Sequence, residues 1–222
     1  MIPLRARTLD PSGFTPALES LLLDLPEALC ATFVDDEGEA IDLATRIDAF
    51  DARVAGAVFA LPLESIRRLL RAQRLGTLGE LRVEGGARAI LVRHVAEGCD
   101  LVVLVDAPTI GVGVTVRCAV AARELCAEAG LPPPAYHRAL RAVEVRRRRD
   151  GLAAPRAFVE GGVRRRVSAV LGVAHHGAQT VWLVRAAPEE EMLLAHDLAE
   201  DRWERFDTAV DRASGGLVGS RA

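Results

Sequence analysis

The sequence predicts an α+β protein: a five-stranded antiparallel sheet with helices on its faces, followed by a small all-β, barrel-like domain. Three observations carry this. Apolar periodicity runs helix, two strands, long helix, three strands, helix over the first 130 residues; a triple proline, Pro132-Pro133-Pro134, then interrupts the chain; and the remainder is short apolar runs punctuated by Gly and acidic turns.

Thr15-Pro16 opens the first helix as an N-cap followed by proline at the first helical position, and Leu18, Leu21, Leu22 and Leu25 form its stripe before Pro26 stops it. Ala28 to Val34 and Ala40 to Thr45 alternate around the polar turn Asp36-Glu37-Gly38, which predicts a β-hairpin. Ala49 to Gly76 is a long helix, closed by Gly76. Its first half carries only Asp51 and Arg53 as charges between Phe50 and Leu61. Phe50, Val54, Val58 and Leu61 make one stripe and Ala55, Phe59 and Ala60 widen it, more than the roughly 100° that one sheet covers. A second covering surface is implied. In the second half Leu63, Ile66, Leu69 and Leu70 alternate with Glu64, Arg67, Arg68 and Arg71, and Pro62 between the halves should bend or break the run.

Leu81 and Val83 alternate with Glu80, Arg82 and Glu84, Gly85-Gly86 turns the chain, and Ala89 to Val95 returns. Leu101 to Val105 is apolar on both faces and should be central. A last helix runs to about Ala129 with Val114, Cys118, Ala121 and Leu125 as its core stripe. Beyond the prolines, Val143–Arg148, Arg156–Val159, Val163–Leu171, Thr180–Arg185 and Met192–His196 read as strands, with Arg202–Phe206 a sixth. The expected division is a flexible N-terminus (1–13), an α+β domain (14–131), a Pro-rich linker (132–135), a β-domain (136–210) and a disordered tail (211–222).

Composition narrows the function classes. The 222 residues contain neither Lys nor Asn, so Arg also does the work of Lys and an Arg cluster carries less information than usual. Residues 1–135 hold 13 Arg against 19 acids and residues 136–222 hold 15 Arg against 12, which points to two modules, neither with the basic excess of a nucleic-acid binder. Cys30, Cys99, Cys118 and Cys126 have no C-x-x-C spacing and read as buried free thiols. With no signal-like start and no apolar run of about 18 residues, the expectation is a soluble cytoplasmic protein.

The stretch LPEALCATFVDDEGEAIDLAT, the long helix, the meander ending CDLVVLVDAP and the closing helix resemble the roadblock/LC7 family over about residues 14–131. The Asp-Glu-Gly turn at 36–38 followed by Ile41, and strand 101–105 followed by a short turn and helix, carry the likeness. The C-terminal PRAFVEGGVRRRVSAVLG, with VWLVR and a final D-x-x-x-D-R-W, looks loosely like a small bacterial β-domain of unknown function. The roadblock resemblance implies a non-enzymatic homodimer. Its interface would be the long helix, at Phe50, Val54, Ala55, Val58 and Phe59, together with the edge strand at Leu81 and Val83. It also implies a small Ras-like GTPase as partner, like the bacterial polarity GTPases, with Arg53, Arg67 and Arg71 as contacts to an acidic switch region. The rival reading is a dimerising scaffold whose C-terminal module recruits a protein or nucleic acid.

No motif of catalysis stands out. Gly111-Val112-Gly113 has Val116 where a dinucleotide loop needs its third small residue, and close packing of helix on sheet is the preferred reading. His175-His176 in a loop and His196-Asp197 at a strand end invite a metal, but such a site needs three or four converging ligands, and solvated histidines are preferred. His94 and Cys99 flank a hairpin turn without the third group a thiol nucleophile needs. Arg146–Arg149 and Arg164–Arg166 would approach each other if their strands share one sheet; without aromatic partners they read as solvated faces paired with Glu189–Glu191. No cofactor is expected.

Overall fold

A computed structural model describes residues 10–74, 78–96, 98–131, 138–140, 142–148, 151–176, 179–188 and 190–207. The linker prolines, Gly76, Arg149, Glu189 and the tail from 208 lie outside the described residues.

The first sheet is antiparallel, in the order β2 (Ala40–Thr45), β1 (Ala28–Asp35), β5 (Cys99–Val105), β4 (Ala89–Ala96), β3 (Glu80–Glu84). Strand β5 is central, as its two apolar faces require. Leu101, Val103 and Val105 point into a core with α1 (Thr15–Asp24) and α3 (Val112–Glu128), while Val102 points to the opposite face, under α2 (Ala49–Ala72). The turn from β1 to β2 needs Gly38: its φ of +83° is left-handed, and a Cβ there would meet Ala57 Cα of α2 at 3.2 Å.

Local capping departs from expectation. Phe14, not Thr15, is the N-cap of α1, and Thr15 Oγ1 instead donates to the buried Asp42 carboxylate at 2.7 Å, beside Ser12 Oγ at 2.5 Å. The C-terminal end of α1 is held by the buried Arg46, whose guanidinium donates to the carbonyls of Leu22, Leu25 (2.9 Å) and Ala28 (2.5 Å). The Leu22 carbonyl would otherwise lack its helical partner, since residue 26 is proline and has no N–H. Helix α2 runs through Pro62 as a single element and ends at Ala72, with Arg74 rather than a glycine in the left-handed region. Pro62 lies on the exposed side of the helix, where the hydrogen bond lost with its missing N–H costs least.

The second sheet has seven strands in the order β6 (Arg138–Leu140), β12 (Arg202–Asp207), β11 (Glu190–Asp197), β10 (Gln179–Ala186), β9 (Val163–His176), β8 (Ala153–Glu160), β7 (Val143–Arg147). It curls enough for Leu140 of β6 to share a core with Ala154 and Phe158 of β8, around Trp182, Leu194 and Trp203. Among the described residues its end strands β6 and β7 are not paired, so it is a curled sheet and not a closed barrel. β6 was not foreseen, and β9 runs on to include His175 and His176, which the sequence placed in a loop.

Helix α3 belongs to both sheets. Val114, Cys118, Ala121, Ala122 and Leu125 face the first, whereas Val116, Ala119 and Val120 pack on Val181 and Leu183 of β10 and Leu193 and Ala195 of β11. Arg123 and Glu204 close the same contact with a 2.7 Å ion pair. Gly172 of β9 makes room for the start of α3, since a Cβ there would lie 2.2 Å from Val112 Cγ1. Gly111 and Gly113, by contrast, have nothing within 4 Å of a would-be Cβ, so the close packing expected of them is made by Gly172 instead. Among the described residues no helix is long and apolar enough to cross a membrane.

Candidate functional site

Helix α2 is set by sequence at both ends: Asp48 caps it by accepting from Phe50 N at 2.8 Å, Asp51 sits in the first turn, and Arg71 in the last. Its buried face is Ala49, Ala52, Gly56, Ala60, Leu63 and Arg67, spaced by three and four residues. The small residues bring the helix close to β1. Thr32 Oγ1 donates to Ala52 O at 3.2 Å, and a Cβ on Gly56 would meet Val34 Cγ1 at 2.9 Å.

The opposite face is the notable one. Phe50 (65% exposed), Val54 (42%), Val58 (53%), Leu61 (51%) and Leu69 (59%) recur every three to eight residues and face solvent together. Of the apolar residues that alternate with charges in the second half of α2, Ile66 and Leu69 belong with this exposed set. Ala55 and Phe59 are half-buried on its shoulder, Phe59 against the cluster of Val34, Ala60, Leu63 and Val92. At the sheet edge, Leu81 of β3 is half-buried against that cluster and Val83 is exposed. Strand β3 pairs only with β4, leaving its outer edge unpaired among the described residues.

The three arginines expected to meet a partner fare differently. Arg53 is half-exposed, and Arg71 is exposed and holds Glu64 at 2.8 Å. Arg67 is buried and cannot serve as a surface contact. It makes a bidentate pair with Asp100, at 2.7 and 2.6 Å, with His94 Nδ1 3.4 Å from the same carboxylate. Burial would raise the Asp100 pKa, but hydrogen bonds from His94 and Arg67 outweigh it and hold the carboxyl below its ordinary 3.8. The pair ties the last turns of α2 to β5. Sequence reasoning missed Asp100, although Arg67 falls on the 56, 60, 63, 67 progression that marks the buried face. A second buried pair, Glu80 with Arg93 at 2.6 Å, anchors β3 to β4.

The other candidates do not assemble into chemistry. His94 faces Asp100, not Cys99, and burial followed by the charges of Asp100, Asp35 and Asp36 raises the Cys99 thiol pKa, the reverse of an activated nucleophile. Burial likewise raises Cys30 to about 11 and pushes Cys118 up. His175 and His196 both lie opposite Thr180 on flanking strands, but His175 Nδ1 is engaged with Thr180 Oγ1 at 3.1 Å. His196 stacks on Trp203 and bonds Asp201 at 2.8 Å through Nε2. Among the described residues no three His, Cys, Asp or Glu groups gather as metal ligands. Arg164 pairs with Glu144, Arg165 with Glu160 and Glu190, and Arg185 with Glu191.

No family model matches the chain, and no curated protein does. Solved structures are similar to part of it. A gliding protein MglB from Thermus thermophilus is 16% identical, with a TM-score of 0.49 over 55% of this chain and 94% of that one. Myxococcus xanthus MglB is 20% identical, with 0.49 over 55% and 98%. A roadblock/LC7 domain from Streptomyces avermitilis is 16% identical, with 0.47 over 51% and 95%. Each likeness covers about half of this chain and nearly all of the other.

Proposed function

We propose that this chain is a non-enzymatic regulator or scaffold that dimerises through α2 and the β3 edge and presents the dimer to a small Ras-like GTPase. The observation that supports it is the solvent-facing stripe Phe50, Val54, Val58, Leu61 and Leu69 on a helix whose other face is already buried. A contiguous apolar face of this kind on a well-packed helix marks a protein contact. The second sheet packs on α3, on the other side of the first sheet from α2, and so leaves the stripe open. Arg53 and Arg71 remain as contacts to an acidic switch region, Arg67 being committed to Asp100. Neither is an arginine finger in this reading; the regulator orders the GTPase's own catalytic residues.

The test is mass by light scattering. Val58 is the position to change, because Phe59 also packs on the chain's own core. The full chain runs as a dimer and Val58→Glu as a monomer of unchanged circular dichroism. Purified Ras-like GTPases from the same genome, loaded with GDP or a GTP analogue, then bind the wild type, and binding falls when Arg53 and Arg71 are reversed to Glu. A monomeric wild type removes the dimer; undiminished GTPase binding by the reversed protein removes the contact assignment.

A further inference from the structure

The β8–β9 hairpin is a fork. Its strands pair from Glu160↔Val163 to Ala157↔Arg166 and then separate. Continued pairing would set Arg156 against Val167 and Ala154 against Ala169, yet these residues are the walls of an open groove of about 880 Å³. Among the described residues, 153–155 pair only with β7, and 167–170 only with β10. Local causes are visible. Pro155 has no N–H to give a ladder, β8 carries an extra residue at Arg156 relative to β7, and β9 carries extra residues at Ser168 and Leu171 relative to β10. Each bulge bends its strand, and the result is two strand edges along the groove, each without a strand partner on that side among the described residues.

The groove is charged as well as open. Arg146, Arg147, Arg148, Arg156 and Arg166 line it, and among the described residues no Asp or Glu does. Arg156 lies near enough to lower the Glu144 pKa, although Arg164 does most of that. Arg146, Arg147 and Arg166 form no ion pair with another described residue, unlike Arg164, Arg165 and Arg185 in the same sheet. Its apolar lining is Ala154, Pro155, Val167, Ala169 and Val170, joined by Ser168, and among the described residues no aromatic side chain lines it on which a base could stack.

We propose that this fork docks an extended acidic segment of a partner protein, added as a strand between β8 and β9. The backbone edges supply affinity in such strand addition, and the arginines select Asp- and Glu-bearing strands. Unpaired edges and the missing aromatics favour a peptide over a nucleic acid. The site owes nothing to α2, so it stands or falls separately from the dimer.

The experiment is fluorescence anisotropy on the full chain with a labelled peptide of alternating Glu and Val. Its comparators are the Lys–Val peptide, a Glu–Val peptide N-methylated at alternate residues, and an oligothymidylate of equal charge. The Glu–Val peptide binds, and both peptide comparators bind at least about tenfold more weakly. Arg147→Glu/Arg166→Glu weakens the Glu–Val peptide by about tenfold or more, while Val58→Glu leaves it unchanged. Should charge reversal disturb the sheet, Arg147→Gln/Arg166→Gln reads the same loss in a milder form. N-methylation without effect would reduce the site to charge attraction and overturn strand addition. Tighter binding of oligothymidylate, or no binding of the Glu–Val peptide at low salt, overturns the proposal outright.

Discussion

Replacing Arg67 with Met separates a buried anchor from a surface contact. The guanidinium and the Asp100 carboxylate are 10% and 4% exposed and meet through two short bonds. Met fills similar volume but leaves Asp100 buried with only the longer contact to His94. Removing one partner of a buried pair costs about 3–5 kcal/mol, because the remaining charge is uncompensated. In a chain of this size each kcal/mol moves the thermal midpoint by about 2–4 °C, so Arg67→Met should melt about 6–20 °C lower. Arg71→Met is the control: its pair with Glu64 has a 59% exposed arginine, and exposed pairs contribute about 0–1 kcal/mol. Arg67→Met/Asp100→Leu should recover most of the loss, since apolar replacement of both partners is often neutral. Differential scanning calorimetry of the four proteins reads all of this. Arg67→Met melting within about 2 °C of wild type would show the arginine free at the surface and return it to the list of partner contacts.

Further outcomes follow from the same geometry. Asp100 titrates below its ordinary 3.8 in the folded chain, so the stability it adds is complete above that value and is lost as pH falls through the folded pKa. The gap in thermal midpoint between wild type and Asp100→Asn should therefore close on acidification below about pH 4. Gly172→Val drives a side chain into Val112 and should cost about 1–3 kcal/mol in denaturant melts, a loss that Val112→Ala relieves. Aromatic disulfide reagents at pH 8 should label Cys99 before Cys30 and Cys118, whose buried thiols react only on unfolding; equal rates would contradict their raised pKa values.

The strands of the first sheet were legible because their signals are local. Alternation gave β1 to β3, the Gly85-Gly86 turn brought the chain back as β4, and a run apolar on both faces put β5 at the centre. The stripe Val114, Cys118, Ala121, Leu125 was equally plain on α3. What escaped was the other side of that helix. Val116, Ala119 and Val120 are just as apolar, but only the distant strands β10 and β11 show why, and strand partners that far along the chain leave no periodic trace. Arg67 was misread for a related reason. An arginine amid Glu64, Arg68 and Arg71 looks solvated until Asp100, on another element, is brought beneath it. The fork in β8 and β9 depends on bulges, which shift register by one residue without altering composition.

Helices α2 and α3 pose the same problem, and the chain solves it once. Each is apolar on two faces, and each buries one of them against the first sheet. For α3 the second face is filled by the chain itself, through β10 and β11. That sheet is thereby committed on one side of the molecule and unavailable to the other, so no described element remains to cover Phe50, Val54 and Val58. Burying an exposed Val or Phe side chain contributes about 1.5–3 kcal/mol, and a self-complementary contact counts each one twice. A dimer built this way carries the second sheets on its outer sides, one arginine-lined fork on each. Two forks on one dimer would turn weak strand addition into a bivalent grip, provided the partner offers two acidic segments spaced to reach both.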